Sequence, residues 1–216
     1  MSKINGTIIG YDPGGNNSNG FALLRIKDNV ATEIEIKTLD TAESILSQIS
    51  NEDVIGLGVD TLSCWCTGDR GWRPADIWLR KKYPEVRNSV MSPNTLSGSM
   101  GINGMSVLIE VLKNKRNLIL SETHPKVLYY ALNKIKYDYK SNYLNMDLFL
   151  SKEIGIPIKT NNDHEWDAVI SAYTLLNGIL GKWTRDLHQL PVINGRIVSP
   201  CGKTAYYWPD DSFYSP

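Results

Sequence analysis

Four acids stand where side chains can do chemistry. Asp12 closes the apolar run TIIGYD, Asp60 closes VIGLGVD, Glu122 closes LILSE, and Asp167 lies one turn into a segment beginning at Asn162. In an open α/β sheet the carboxyl ends of the strands form the crevice where ligands bind, so three of these acids are expected to converge there. Clustered carboxylates repel and raise one another's pKa unless a cation neutralises them, and hard oxygen ligands select Mg²⁺ or Mn²⁺. Two such ions about 4 Å apart activate a water, hold a phosphate and stabilise the leaving oxygen of an in-line displacement. The implied chemistry is phosphodiester hydrolysis with Asp12, Asp60, Glu122 and Asp167 as metal ligands, Asp12 bridging from a rigid central strand. Each acid alone has a plainer reading, since Asp commonly follows a strand and the helix dipole favours acids in a first turn. That reading suffices for Asp163 and Glu165 and fits the joint placement of the other four less well.

The elements that must position these acids are legible in outline. TIIGYD, GFALLRI and TEIEIKTL read as three strands joined by Gly-, Asn- and Asp-rich turns, a meander. Asp40 and Glu43 form a capping-box pattern before AESILSQIS, a helix that crosses to a fourth strand, DVIGLGVD, paired in parallel. Residues 61–104 are polar, Trp-rich and broken by Gly and Pro, an irregular insertion too long for an idle connection. MSVLIEVLKNK has helical spacing, NLILSE is a fifth strand, and HPKVLYYALNK is a helix with Pro125 in its first turn. From Asn162 to Leu180, apolar residues at three-and-four spacing give the clearest helix, whose other face carries Asp163 and Asp167. PVINGRIVSP reads as a hairpin turning at Asn194-Gly195, and residues 181–216 as this hairpin and a peripheral tail.

Composition sets the bounds. With 216 residues and 24.3 kDa the chain fits one large domain. Its 23 basic and 23 acidic side chains cancel, so any polyanion must be met by a local patch. Three cysteines and no signal-peptide pattern or membrane-length apolar run point to a reducing, cytoplasmic setting. Cys64 and Cys66 have metal-like spacing without a second pair, so zinc is not expected and a buried apolar role is. GKT at 202–204 lacks the glycine of a phosphate-binding loop, because Ile197 stands in its place.

Near the acids, the 61–104 insertion carries Arg70, Arg73, Arg80, Lys81, Lys82 and Arg87 against Asp69, Asp76 and Glu85. Arg70 and Arg73 are the expected phosphate contacts, with Trp72, beside Trp65 and Trp78, available to stack on bases. The competing reading is a solvated helix face with tryptophans packed beneath it. His124 is placed to shuttle a proton or orient water, or else to cap a helix. Lys126 is placed to reach a phosphate from the same helix.

Motifs in order along nearly the whole chain carry a resemblance. GYDPGG with GFALL, GVDTL, WRPADIWLRKKYP, SPNTLSGSMGINGMSVL, ETHP, WDAVISAYTLL and NGRIVSP resemble the domain-of-unknown-function family number 429, predicted nucleases of the ribonuclease H-like fold. The resemblance implies an α/β mixed sheet, a three-stranded antiparallel meander plus parallel strands flanked by helices, in a single domain. It also implies acids at Asp12, Asp60, Glu122 and Asp167, and nucleic acid, DNA or RNA, as substrate. Where such proteins often carry two adjacent acids before the helical Asp, this chain has His164, Glu165 and Trp166. A membrane partner is not expected, and a homodimer stays open.

Two rivals remain at this stage. A phosphotransferase of the actin-like or sugar-kinase type would use the DPGGNNSNG loop to cradle nucleotide phosphates, though such enzymes generally duplicate the fold. A non-catalytic module would bind nucleic acid or protein through the Arg/Trp insertion, with the acids structural.

Overall fold

In a computed structural model, which describes residues 3–50, 52–95, 98–115 and 117–210, strands β1 (Gly6–Asp12), β2 (Asn19–Lys27) and β3 (Val30–Leu39) form the expected antiparallel meander. Helix α1 (Ala42–Ser50) crosses to β4 (Val54–Val59), which pairs parallel to β1. The chain then makes an excursion containing a two-residue strand, β5 (Trp65–Cys66), before β6 (Ile119–Glu122) joins β4 in parallel. The sheet order is β3-β2-β1-β4-β6, the expected mixed sheet of an antiparallel meander plus parallel strands.

Helices cover both faces, as the alternation of buried residues along β1 requires. Ile9 and Tyr11 pack with α1 and with α3 (Ser99–Asn114). Ile8 packs on the other side with α2 (Pro74–Lys82), α4 (Pro125–Asn133), α5 (Tyr139–Ile154) and α6 (Asp163–Ile179). The segment expected to be irregular from 61 to 104 thus contains all of α2 and the start of α3. Leu96 and Ser97 of the SPNTLSGSMG motif lie outside the described residues. Helix α5 carries no clear sequence signal, because only Met146, Asp147, Leu150 and Ile154 of its 16 residues are buried.

Two details differ from the sequence reading. Thr41 rather than Asp40 caps α1, its Oγ1 accepting the Ser44 N–H at 3.2 Å, while the Asp40 backbone carbonyl accepts from Asn17. Asn194-Gly195 does not turn a hairpin. β8 (Ile197–Val198) pairs instead with β5, and residues 191–193 lie outside any strand. β7 (Arg185–Asp186) pairs with β9 (Tyr207–Trp208). Residues 211–216, the end of the expected tail, lie outside the described residues.

What positions the acids is the seat of α6 on the sheet. Gly10 of β1 and Gly58 of β4 are register partners. A Cβ on Gly10 would overlap the Ala168 carbonyl, and one on Gly58 the Ser171 carbonyl. The helix therefore rests backbone against backbone on both strands, the close approach that a strand glycine permits. Because side chains alternate, Gly10 shares its face with Asp12 and Gly58 with Asp60.

Gly10→Ala or Gly58→Ala should lift α6 from this seat. The expected cost is about 1–3 kcal/mol of stability from overpacking. Divalent-cation binding should weaken with it, although no acid has changed. Thermal unfolding and a Mn²⁺ titration check both effects, and unchanged Mn²⁺ affinity would show that the helix seat is not what places the third acid.

Candidate metal centre

Three of the four expected acids meet. Asp12, Asp60 and Asp167 each offer an oxygen, and these oxygens lie within 4.8 Å of one another. Asp12 comes from the end of β1 and Asp60 follows β4, its N–H bonded to the Tyr11 carbonyl at 3.0 Å. Asp167 descends from α6, whose start is fixed by the Asn162 side chain accepting the Glu165 N–H at 2.9 Å.

Burial acts on all three, and the charge of Asp12 acts on the other two. Burial raises Asp12, partly offset by its hydrogen bond with His164. Burial and then the charge of Asp12 hold Asp60 well above the usual carboxylate range. Asp167 is raised in the same way by burial and then by Asp12 and Asp60. Asp12 Oδ1 and Asp167 Oδ1 are buried without a hydrogen-bond partner. Orphaned anionic oxygens are costly, and a hard divalent cation is the partner that suits three carboxylates. The donor set fits Mg²⁺ or Mn²⁺.

Neighbouring groups complete the site. His164 Nδ1 sits 2.6 Å from Asp12 Oδ2, a contact that raises the imidazole against the lowering effect of burial. This pair orients Asp12 and leaves its Oδ1 free. Of the residues just before Asp167, His164 therefore serves Asp12 rather than Asp167. Glu165 instead accepts from Thr38 and Asn161, a structural role. Lys126 is exposed, and its charge lowers Asp12, Asp60 and Asp167 alike, the position expected for a phosphate contact. Tyr137, which the sequence reading missed, buries its hydroxyl beside Asp167. Burial and then that carboxylate's charge push it above the usual tyrosine range.

Glu122 does not join the trio, and Arg73 does not face solvent. Arg73 Nη2 meets Glu122 Oε1 at 2.6 Å and Asp76 Oδ1 at 2.7 Å, with Arg73 and Glu122 each only 1% exposed. Glu122 also accepts from the Ser63 backbone N–H at 3.0 Å and the Ser63 hydroxyl at 2.9 Å. Burial alone would raise Glu122, but Arg73 and His188 hold it well below the usual range. Burial lowers His188, whereas contacts with Cys64 and Glu122 push it up to about 10. The strand-end rule thus names Asp12 and Asp60, which the fold brings to the trio, and also Glu122, which it does not, because a buried guanidinium already pairs with it.

The remaining expectations divide. His124 lies along the groove beside Asp60, but its Nε2 is 3.0 Å from the Ser89 carbonyl. Burial pushes it down to about 4, a neutral imidazole unsuited to shuttling protons near neutrality. Trp72 packs against the core with the Arg80 guanidinium 4.9 Å from its ring centre, so it is not a free stacking platform. Arg70 is exposed on a surface with Lys81 and Arg87 that shares no residue with the trio. Cys64, Cys66 and Cys201 are buried free thiols. Among the described residues, no helix is long and apolar enough to cross a membrane.

Fold and site together define an α/β protein with a mixed sheet and a buried three-carboxylate cluster at the ends of its central strands. No family model and no curated protein matches the chain. Among solved structures it is similar to the Thermus thermophilus RuvC structure, with 10% identity, 81% of this chain and 96% of that chain covered, and a TM-score of 0.44. It is also similar to T. thermophilus RuvC in complex with Holliday junction substrate, with 12% identity, 82% and 96% coverage, and a TM-score of 0.46.

Removing a trio acid and removing the partner of Glu122 should have opposite effects. The raised folded-state pKa of Asp60 means that stability is lost as pH rises through it. Asp60→Asn should therefore raise the melting temperature of metal-free protein above neutral pH by about 2–4 °C, the shift that ~1 kcal/mol produces in a protein of this size. It should also abolish stabilisation by Mn²⁺. Arg73→Ala, which leaves Glu122 buried and unpaired, should cost about 3–5 kcal/mol. It should keep a Mn²⁺-induced shift, and calorimetric scans with and without Mn²⁺ separate the two cases.

Proposed function

We propose that this protein is a divalent-metal-dependent nuclease, a phosphodiester hydrolase in which Asp12, Asp60 and Asp167 hold Mg²⁺ or Mn²⁺, and that it belongs to the domain-of-unknown-function family number 429. The observation that carries this reading is the convergence of three carboxylates within 4.8 Å, two of them with buried, partnerless oxygens. A bound cation pair supplies a water-derived nucleophile and charge stabilisation at the phosphoryl oxygens. The chain's own residues then have defined tasks. Asp12 would hold the metal from the rigid end of β1, oriented by His164, together with Asp60 and Asp167. Lys126 offers a positive charge to a phosphate arriving over the site. With Glu122 committed to Arg73, Asp12, Asp60 and Asp167 are the carboxylates that would hold the metal.

The phosphotransferase rival loses its main support in the loop after β1. The Gly14 N–H donates to Asn19 Oδ1 at 3.2 Å and the Asn17 N–H to the Asp40 carbonyl at 3.0 Å, so donors needed to cradle a phosphate are already engaged.

With Mg²⁺ or Mn²⁺, a mixed panel of DNA and RNA substrates should be cut by the unaltered protein. Asp12→Asn and Asp60→Asn should each lose more than about a hundredfold, beyond the loss typical of outer-shell changes. The rate should climb with pH as the raised carboxylates lose their protons to make way for metal. Equal cutting by all three proteins would remove these acids from the chemistry, and phosphate transfer from ATP would favour the rival.

A further inference from the structure

Two cavities flank the carboxylate trio, and both are lined by Lys126 and Ser89. The first adds Lys136, Lys140, Tyr137, Tyr139 and Asp163. The second adds Asp60 itself, with Leu62, Met91 and Met100. They meet at these shared residues and read as one groove beside Asp60, with three lysines against Glu85, Asp138 and Asp163 at one end and the apolar Leu62, Met91 and Met100 among polar side chains at the other.

The charges at the lysine-bearing end are unequal in availability. Lys136 and Lys140 are exposed and have no hydrogen bond or ion pair among the described residues. Of the acids on the same wall, two have hydrogen-bond partners and the third sits at a helix N-terminus. Asp138 accepts the Ser141 N–H at 3.2 Å, Glu85 faces the Tyr130 hydroxyl, and Asp163 lies in the first turn of α6. At the apolar end Met91 is 44% exposed, and the cavity measures about 180 Å³. An apolar cavity of about 150 Å³ accepts a benzene ring, so one of this size is suited to an aromatic base. Methionine side chains are flexible and polarisable, and they pack on a ring face without reading its edge.

Resting on the nuclease reading, we propose that this groove binds a single, unpaired nucleic-acid strand. The strand runs over the trio with backbone phosphates at Lys136 and Lys140 and an unstacked base against Met91 and Met100. A duplex keeps its bases stacked and cannot fill the apolar end, so the preference is for single-stranded or locally opened substrate without regard to base identity.

The full-length protein, held with Ca²⁺ in place of Mg²⁺, is titrated by fluorescence anisotropy with a labelled single strand of about 20 nucleotides and with a duplex of the same length. The single strand should bind more tightly. Lys136→Ala/Lys140→Ala should weaken it about tenfold and reduce the salt slope by about 1.4, the loss of two phosphate contacts on a single strand. Met91→Ala/Met100→Ala should weaken it about fivefold with the salt slope unchanged. Arg70→Ala/Arg87→Ala, on the separate basic surface, should bind as the unaltered protein does.

Duplex preference, a folded Lys136/Lys140 variant with unchanged affinity, or loss confined to the Arg70/Arg87 variant would overturn the assignment of the groove while leaving the nuclease reading intact. If Mn²⁺ stabilises the protein yet neither form of nucleic acid binds, both fall together.

Discussion

Everything in the site depends on how closely one helix can approach one sheet. Three carboxylates repel, and nothing in their own chemistry draws them together without a cation. They meet because α6 sits on β1 and β4 without intervening side chains, through Gly10 and Gly58. The apolar length of α6, with Trp166, Val169, Ile170 and Tyr173 buried beneath α4, α5 and the sheet, supplies the favourable free energy that holds the acids in place. Stability is thus spent on electrostatic strain at one point of an otherwise well-packed core, a common arrangement at functional sites.

The two acidic strand ends that lie side by side on β4 and β6 illustrate how neighbouring groups with the same local sequence context acquire different fates. Asp60 faces other carboxylates and is raised, whereas Glu122 faces Arg73 and is depressed. Environment, not residue type, decides which acid is available to a cation and which is a buried counter-ion.

The parts of this architecture legible in the sequence are those with local causes. The meander, the crossover to β4, the helix from Asn162 and the acids Asp12, Asp60 and Asp167 all follow from periodicity, capping and strand-end position. What was not legible depends on pairing across long separations. Arg73 and Glu122 are 49 residues apart, and the only local sign of Arg73's burial was the Asp76 that caps with it. Tyr137 lies between two helices, in a stretch without period, and nothing nearby marks it as a neighbour of Asp167. Asn194-Gly195 carries a strong turn signal, and Gly195 does adopt a positive φ of 82°. The following strand nonetheless finds its partner at Trp65 and Cys66, more than a hundred residues earlier, because the residues just before the turn form no strand.

The shell around Glu122 is assembled from widely separated parts of the polypeptide. Ser63 and Arg73 precede it, but His188 and Thr204 come near the end, with the Thr204 hydroxyl 2.8 Å from that of Ser63. Ala205 then bonds on both sides of Ser121, covering the open edge of β6. During synthesis, therefore, the buried acid and the sheet margin stay incomplete until residues 188–205 have left the ribosome, so this segment acts as the clasp that closes the fold.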